Sequence, residues 1–238
     1  MVAAWGGPTV EASAVLTGGI VTSLHDLRSR VVDAPNSLGA SRRARRWEWL
    51  QATFPDIESM SVIDLGGTAE SWRRAPIRPA SVHVVNLDPP PPDVADWIRA
   101  DQADACRLPA HIVSGSYDLV YSNSVLEHVG GHAERLRFAD AVHRLADRHW
   151  VQTPYRYFPV EPHWLFPGFQ FLPVTLRAEV SRRWPLVHVR SSSHEDGIRG
   201  ALSIELLSRS EMAFYFPGST LRFERLMSLI KSLIAVKP

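Results

Sequence analysis

Short apolar runs recur along the chain with loop or helix signals between them, and this alternation constrains the fold more than any other feature. The runs are SVIDL at 61–65, SVHVVNL at 81–87, DWIRA at 96–100, YDLVYS at 117–122 and HWVQT at 149–153. Their Val, Ile and Tyr content predicts buried strands. Helical spacing of apolar residues predicts helices from Ser41 to Phe54 and over 132–148. The alternation predicts an α/β fold with a doubly wound, mostly parallel sheet.

The C-terminal segment LRFERLMSLIKSLIAVKP, residues 221–238, permits two interpretations. It could form one amphipathic helix suited to a membrane surface or a dimer, or two strands, TLRFERL and KSLIAVK, with a turn at Ser228. We favour the strands because EMAFYFPGS, just upstream, fits a short helix closed by Pro217 and Gly218. With that upstream segment helical, the C-terminal segment is left to supply the last two strands of the sheet.

Charge and cysteine content exclude several kinds of partner. There are 26 Lys and Arg against 25 Asp and Glu, so no overall field attracts nucleic acid or an anionic membrane. The only cysteine, Cys106, excludes an internal disulfide and a multi-cysteine metal site, and we expect no metal. No apolar run is long enough for a membrane span, and the start of the chain does not resemble a signal peptide. We therefore predict a cytoplasmic protein.

Composition also divides the chain into regions. Residues 1–38 mix Gly, Pro, Ser and Thr without a sustained period, which predicts a loosely ordered lead-in. Residues 39–238 are predicted to form a single domain. Within it, 154–200 is predicted to be a substrate-side insertion, because 154–185 contain six prolines and many aromatic residues. Four arginines at 42, 43, 45 and 46 are predicted to form a solvated helix face.

A glycine turn and an acidic residue follow the first two predicted strands. Asp64 leads directly into Gly66 and Gly67, which let the backbone turn tightly and approach a ligand closely. A dinucleotide site would need G-x-G-x-x-G, which this segment lacks. Asp88 ends the second strand, where a carboxylate can accept two hydrogen bonds from a ribose diol. These residues predict a nucleoside-containing cofactor.

Further polar residues follow the third and fourth strands. In ADACRLP, Asp104 could accept a hydrogen bond from an exocyclic amino group while Ala105 offers its backbone amide, and Asp101 is the competing candidate. SNSVLEHVGG, residues 122–131, contains Asn123, Glu127 and His128 just past the fourth strand. Ligands of doubly wound sheets bind at this edge.

The ordered set VIDLGG, NLD, DACRLP and SYDLVYSNSVLEHV resembles class I S-adenosylmethionine-dependent methyltransferases, in the branch often labelled type 11. The resemblance covers roughly residues 60–153. It implies a seven-stranded Rossmann-like methyltransferase fold, completed by 208–237, and S-adenosyl-L-methionine as cofactor. The contacts that it implies are Asp64, Gly66 and Gly67 with the methionine part, Asp88 with the ribose, Asp104 and Ala105 with adenine, and Asn123 beside the amino acid end or the transferred methyl group.

The acceptor side is predicted in QTPYRYFPVEPHWLFPGFQFLP, residues 152–173, where aromatic residues could line a pocket. Gln152, Tyr155 and Arg156 are the candidate substrate-binding residues. Its Glu-Pro-His unit resembles that of many type 11 members. Glu161 is predicted to orient His163 as the general base, since histidine can take a proton near neutral pH.

His128 is the second candidate for the base, and the alternative is that Glu161 and His163 only fix a Pro-rich loop. The predicted function is methyl transfer to a small-molecule or lipid- or sugar-linked acceptor, with oxygen as the expected acceptor atom. A non-catalytic cofactor-binding partner protein is the alternative, with a homodimer left open. A nicotinamide-dependent oxidoreductase is disfavoured by the missing third glycine.

Overall fold

The computed structural model describes residues 38–187 and 190–238, so the predicted lead-in over 1–38 lies outside the described residues apart from its last one. The strands are β1 Ser61–Leu65, β2 Ser81–Asn86, β3 Ile98–Gln102, β4 Leu119–Asn123, β5 Arg148–Pro154, β6 Val160–Glu161, β7 Phe166–Pro167, β8 Thr220–Leu226 and β9 Leu229–Lys237. The helices are α1 Leu38–Thr53, α2 Ala69–Arg73, α3 Ala110–Val113, α4 His132–Leu145, α5 Val174–Arg183, α6 His194–Leu202 and α7 Arg209–Tyr215. Two 3₁₀ turns cover Ile57–Ser59 and Phe169–Phe171.

Seven strands form one sheet in the order β3-β2-β1-β4-β5-β9-β8. The first five strands along the chain pair in parallel, whereas β9 runs antiparallel to both β5 and β8. This arrangement confirms the predicted α/β doubly wound, mostly parallel sheet. The C-terminal pair of strands is also confirmed, with Met227 and Ser228 at φ +53° and +74° in the turn between them.

Several element boundaries differ from the prediction. Helix α1 begins at Leu38, so Ser41 lies inside the helix and does not cap it. Helix α4 ends at Leu145 because Ala146 is extended, and β5 begins at Arg148. Strand β3 covers 98–102, later in the chain than the predicted 96–100. The crossover between β1 and β2 contains only a five-residue helix, α2, as its two prolines would predict.

Each face of the sheet has its own apolar core. Ile63 and Leu65 of β1 pack on one face with residues of α4 and α7. Val62 of the same strand faces the opposite side, where α1 and α2 contribute Leu50 and Trp72. Alternate residues of a strand point to opposite faces, so β1 is buried on both sides, as a central parallel strand requires.

The chain between β5 and β8 contains a small separate core. Hairpin β6–β7 and helices α5 and α6 surround the buried residues Trp164, Phe169, Val187 and Ala201. Trp164 stacks on Phe169 with ring centroids 4.0 Å apart. Its indole N–H donates to Ser181 Oγ at 2.7 Å. This core gives the loop after β5 a fixed shape.

Within 38–187 and 190–238, none of the helices combines the length and the apolar character that crossing a bilayer demands.

Candidate active site

The turn after β1 requires glycine at both of its central positions. Gly66 has φ +87°, and a Cβ there would lie 2.4 Å from Cγ2 of Val125. A Cβ on Gly67 would lie 1.8 Å from Oδ2 of Asp64. The Asn86 side chain, at the end of β2, donates to the carbonyls of Gly66 and Gly67 at 3.2 and 2.8 Å. The turn therefore packs against the loop after β4 on one side and is hydrogen-bonded to β2 on the other.

Asp64 is a buried carboxylate at the carboxyl end of β1, and it is 1% exposed. Its Oδ2 accepts a hydrogen bond from Trp72 Nε1 at 2.7 Å, whereas Oδ1 has no hydrogen-bond partner among the described residues. Burial raises the pKa of Asp64 to about 7, an effect that the Trp72 hydrogen bond and the Gly67 amide partly offset. A buried oxygen without a partner is costly, so this side chain is suited to a donor that a ligand would bring.

Three aromatic side chains pack beside Asp64 on the α1 side of the sheet. Trp47 stacks on Tyr121 at 5.7 Å, and Trp72 meets both rings edge-on at 5.3 Å. Trp72 was not predicted to belong to the site. Its position in the short helix that follows the glycine turn was the available signal.

The residues proposed for ribose and adenine lie in exposed or half-buried turns. Asp88 is exposed, and its amide donates to Asn86 Oδ1 at 3.1 Å. Asp104 Oδ1 accepts the Cys106 amide at 2.8 Å, and Oδ2 accepts from the exposed Arg107 at 2.8 Å. Ala105, between them, is half-buried.

The competing candidate, Asp101, has a different set of partners. Its Oδ2 lies 3.0 Å from His83 Nε2, 2.7 Å from Arg99 Nη2 and 3.4 Å from His111 Nε2. His83 is itself buried within β2 and also contacts the Tyr117 hydroxyl at 2.7 Å. Asp101 therefore belongs to an ion-pair group between β2 and β3, whereas Asp104 lies in the turn beyond the strand.

The prediction of a solvated arginine face is wrong for Arg46. Its guanidinium donates to Asn123 Oδ1 at 2.8 Å and Gln152 Oε1 at 3.3 Å, and forms a two-point ion pair with Glu224 at 3.0 and 3.1 Å. Its side chain is 14% exposed. The reason is that β4, β5 and β8 each contribute one acceptor that a single residue of α1 can reach. Arg45 is exposed as predicted, and the side chains of the other two arginines lie outside the described part of the chain.

The three candidate acceptor-side residues have different partners. Gln152 is 1% exposed, and besides Arg46 its Oε1 accepts from Ser124 Oγ at 2.9 Å. Arg156 donates to the Leu206 carbonyl at 2.8 Å and to Glu211 of α7 at 3.0 Å. The Tyr155 ring lies edge-on to Tyr157 at 5.5 Å. Arg156 thus contacts α7.

Glu161 and His163 form a direct pair. Glu161 Oε2 accepts the backbone amides of His163 and Trp164 at 2.7 and 2.9 Å, which fixes this buried carboxylate. Its Oε1 lies 2.6 Å from His163 Nδ1. In the neutral ring this contact places the proton on Nδ1, so the Nε2 lone pair is the basic one.

His128 and Glu127 complete this group, which we call the Glu–His cluster: Glu127, His128, Glu161 and His163. The His128 and His163 rings meet edge-on with centroids 5.0 Å apart. Desolvation and the neighbouring His163 lower the pKa of His128 to about 4. The two candidate bases and the predicted orienting carboxylate therefore lie in one place.

Glu127 is the residue of this cluster for which no role was predicted. It is completely buried, and its Oε2 accepts from Thr153 Oγ1 at 2.9 Å. Its Oε1 has no hydrogen-bond partner in the part of the chain that the structure describes. Burial raises the pKa of Glu127 to about 7, with His163 acting in the opposite direction. Its position directly before His128 in SNSVLEHV was the available signal.

Comparisons with known proteins identify the fold. No protein-family model matches the sequence, and no curated protein matches it. Among solved structures, a "possible exported protein" from Bordetella parapertussis has a TM-score of 0.53 at 16% identity, over 90% of this chain and 79% of that one. An S-adenosylmethionine-dependent methyltransferase from Mesorhizobium loti has a TM-score of 0.50 at 16% identity, over 80% and 96% of the chains.

The N-terminal domain of EvdMO1, crystallised in the presence of S-adenosylhomocysteine and D-fucose, also has a TM-score of 0.50 at 16% identity. That match covers 91% of this chain and 94% of the domain. The chain has the Rossmann-like methyltransferase fold. The resemblance to class I methyltransferases is thereby confirmed at the level of the fold, and the type 11 branch stays a prediction.

Proposed function

We propose that the protein is an S-adenosylmethionine-dependent methyltransferase that acts on a hydroxyl oxygen of a small-molecule or lipid- or sugar-linked acceptor. The observation that carries the proposal is the closeness of two groups of residues. Val125 packs against Gly66, and Glu127 follows Val125 by only two positions. A glycine turn suited to a methyl donor thus lies near a Glu–His cluster suited to removing a proton.

The residues at the ends of β1, β2 and β4 fit the cofactor. Asp64 has a buried oxygen without a hydrogen-bond partner among the described residues, and the turn at Gly66 and Gly67 leaves no room for a side chain. We propose that these three residues hold the methionine part, with Asn123 beside the amino acid end or the methyl group. Asp88, exposed two residues past the end of β2, is proposed to accept hydrogen bonds from the ribose hydroxyls. When bound, the cofactor supplies an already activated methyl group.

For adenine, the contacts favour Asp104 with Ala105 over Asp101. Asp104 is paired with Arg107, whose side chain is 58% exposed, and such a surface pair is worth little and can be shared with a ligand. Asp101 is held by the buried His83 and by Arg99, which an adenine would have to displace.

We propose that His163 removes the acceptor's proton. Glu161 holds Nδ1, so Nε2 is the atom that would accept the hydroxyl proton. The cofactor would supply the methyl group, whose bond to sulfur would break as its bond to the acceptor oxygen forms, and would leave as S-adenosylhomocysteine. His128 lies edge-on to His163 and is the second candidate for this role. Because the methyl group is already activated, positioning and proton removal are the main tasks left to the protein.

Gln152, Tyr155 and Arg156 are proposed to line the acceptor site, and 154–200 is proposed as a substrate-side insertion within a single domain over 39–238. The separate core around Trp164 and Phe169 supports the insertion. The cytoplasmic location and the homodimer stay predictions.

Calorimetry with S-adenosylhomocysteine and NAD, measured side by side on the full chain, tests the cofactor. We expect saturable heat with the former only; no heat with it would overturn the proposal. A mass-spectrometric screen of host extract then seeks products that gain one CH₂ when protein and methyl donor are both present. Cofactor binding with no product in any extract would favour the non-catalytic partner protein.

A further inference from the structure

Three potential metal ligands converge at the Glu–His cluster. Glu127, His128 and His163 each offer one ligand atom, and these atoms all lie within 4.8 Å of one another. Glu127 Oε1 and His128 Nε2 are 4.0 Å apart. Two imidazoles and one carboxylate are a ligand set typical of zinc and of non-haem iron, with positions left open for substrate or water.

The buried carboxylate supplies a reason for a ligand at this point. Glu127 is completely buried, and the oxygen that faces His128 is the one without a hydrogen-bond partner in the described residues. The other oxygen is fixed by Thr153, so the side chain cannot turn to water without breaking that bond. A buried acceptor left unsatisfied costs roughly 1–3 kcal/mol. A cation bound by Glu127 would remove this cost.

A second set of contacts orients His163 as a ligand. Glu161 Oε1 lies 2.6 Å from His163 Nδ1, and Glu161 Oε2 is itself held by two backbone amides. Histidine ligands of metals characteristically donate their other ring N–H to a carboxylate in this way. The same contact that suits a general base therefore also suits a metal ligand.

We propose that Glu127, His128 and His163 form a site for one divalent transition-metal ion of the zinc, iron, cobalt or nickel class. Ligand atoms at about 2.0–2.2 Å from such an ion lie about 3–3.5 Å from one another, so the site contracts slightly on binding. His128 can make this movement because its side chain is 41% exposed at the rim of the cluster. Glu127 and Glu161 are fixed and need not move.

This inference does not depend on the proposed methyl transfer, but it bears on the role of His163. A lone pair bound to an ion cannot take a proton, so the two roles of His163 exclude each other at any moment. With the ion bound, its open positions could receive an acceptor hydroxyl and lower the pKa of that hydroxyl. The cluster would then favour loss of the acceptor's hydroxyl proton both with and without the bound ion.

Metal titration of the full chain, stripped with a chelator, tests the site. We expect one Zn²⁺ per chain by calorimetry, and Co²⁺ absorption bands of a low-symmetry site that Zn²⁺ displaces. E127Q and H128Q should each weaken binding at least about tenfold. H143Q is the matched control, because His143 is an exposed histidine on α4 that contacts His149 and Phe216; it should bind as the wild type does.

Absence of saturable binding near one ion per chain, in protein that is folded by circular dichroism, would overturn the proposal. Equal affinity of wild type, E127Q and H128Q would also overturn it, because the ion would then bind elsewhere. The binding of S-adenosylhomocysteine, measured on the same samples, tests the proposed function separately. Loss of one binding event without the other therefore identifies which of the two proposals has failed.

Discussion

Asp64 and Glu127 are two buried carboxylates with the same unsatisfied hydrogen bonding among the described residues and with different surroundings. Each has one oxygen bound by a neighbouring side chain, one oxygen without a partner among the described residues, and a pKa raised to about 7 by burial. Asp64 lies among neutral aromatic rings and the backbone of a glycine turn, whereas Glu127 faces two imidazoles. The difference indicates that Asp64 suits a hydrogen-bond donor and Glu127 suits a proton or a cation.

The largest effect is expected on the Glu127 side, from H163Q. Loss of a general base typically lowers turnover about 10²- to 10⁴-fold. Methyl transfer measured with an acceptor found in the extract screen should fall by this amount, while the affinity for S-adenosylhomocysteine stays within about twofold, because His163 does not touch the glycine turn in the proposed arrangement. Full turnover with the cofactor site intact would exclude His163 as the base.

The contribution of Asp64 can be measured separately by comparing the pH dependence of stability in wild type and D64N. The pKa of Asp64 in the folded chain is raised, so its contribution to stability is fully present below the unfolded pKa near 3.8 and is lost as the pH rises towards 7. D64N does not titrate. The free energy of unfolding of D64N minus that of wild type should therefore increase between pH 4.5 and 8, by up to about 3 kcal/mol.

Urea unfolding across this pH range, in the absence of cofactor, measures the difference. Other titrating groups are common to both chains and cancel. A difference that does not change with pH would mean that Asp64 is ionised throughout. The electrostatic contrast drawn between Asp64 and Glu127 would then not hold.

G67A tests whether the glycine turn can be disturbed without affecting the Glu–His cluster. Its methyl group would overlap Asp64 Oδ2, so we expect a loss of about 1–3 kcal/mol in unfolding free energy and of cofactor affinity. Gly200, in α6, has no atom within 4 Å of an added Cβ, and G200A should be neutral or slightly stabilising. Zn²⁺ affinity should be the same in both variants. A parallel loss of Zn²⁺ binding in G67A would show that the two sides are coupled.

The smallest effect is expected from N86A. The Asn86 side chain donates to two carbonyls of the turn, and its removal should cost about 1–2 kcal/mol in stability and weaken S-adenosylhomocysteine binding modestly. Denaturant melts and calorimetry measure both quantities. Unchanged cofactor affinity would mean that Gly66 and Gly67 keep their conformation without this clamp.

Sequence patterns predicted the turn at Gly66 well because its signal is local. A strand followed at once by two glycines is visible within a few residues, and so is Asp88, which lies two residues past the end of β2. The Glu–His cluster was predicted only in part. His163 and Glu161 are near neighbours in the chain, but Glu127 joins them through the packing of β4 against β5, which no local pattern contains.

Arg46 is a clearer case of contacts that no local sequence pattern could predict. In the sequence it belongs to a run of arginines before Trp47, and such a run usually faces water. Its acceptors come from Asn123, Gln152 and Glu224, which lie on three different strands. Only the assembled sheet brings them within reach of one guanidinium group.

The order in which the chain is synthesised gives the position of β9 a further consequence. Strand β9 covers the edge of β5, the strand that carries Gln152 and Thr153, yet it follows β5 only after residues 155–228 have been made. A nascent chain that ends before 229 therefore presents β5 as an open sheet edge beside the candidate active site. Such edges invite pairing with other chains, so the last hairpin both completes the sheet and ends the period in which the emerging protein is most exposed to aggregation.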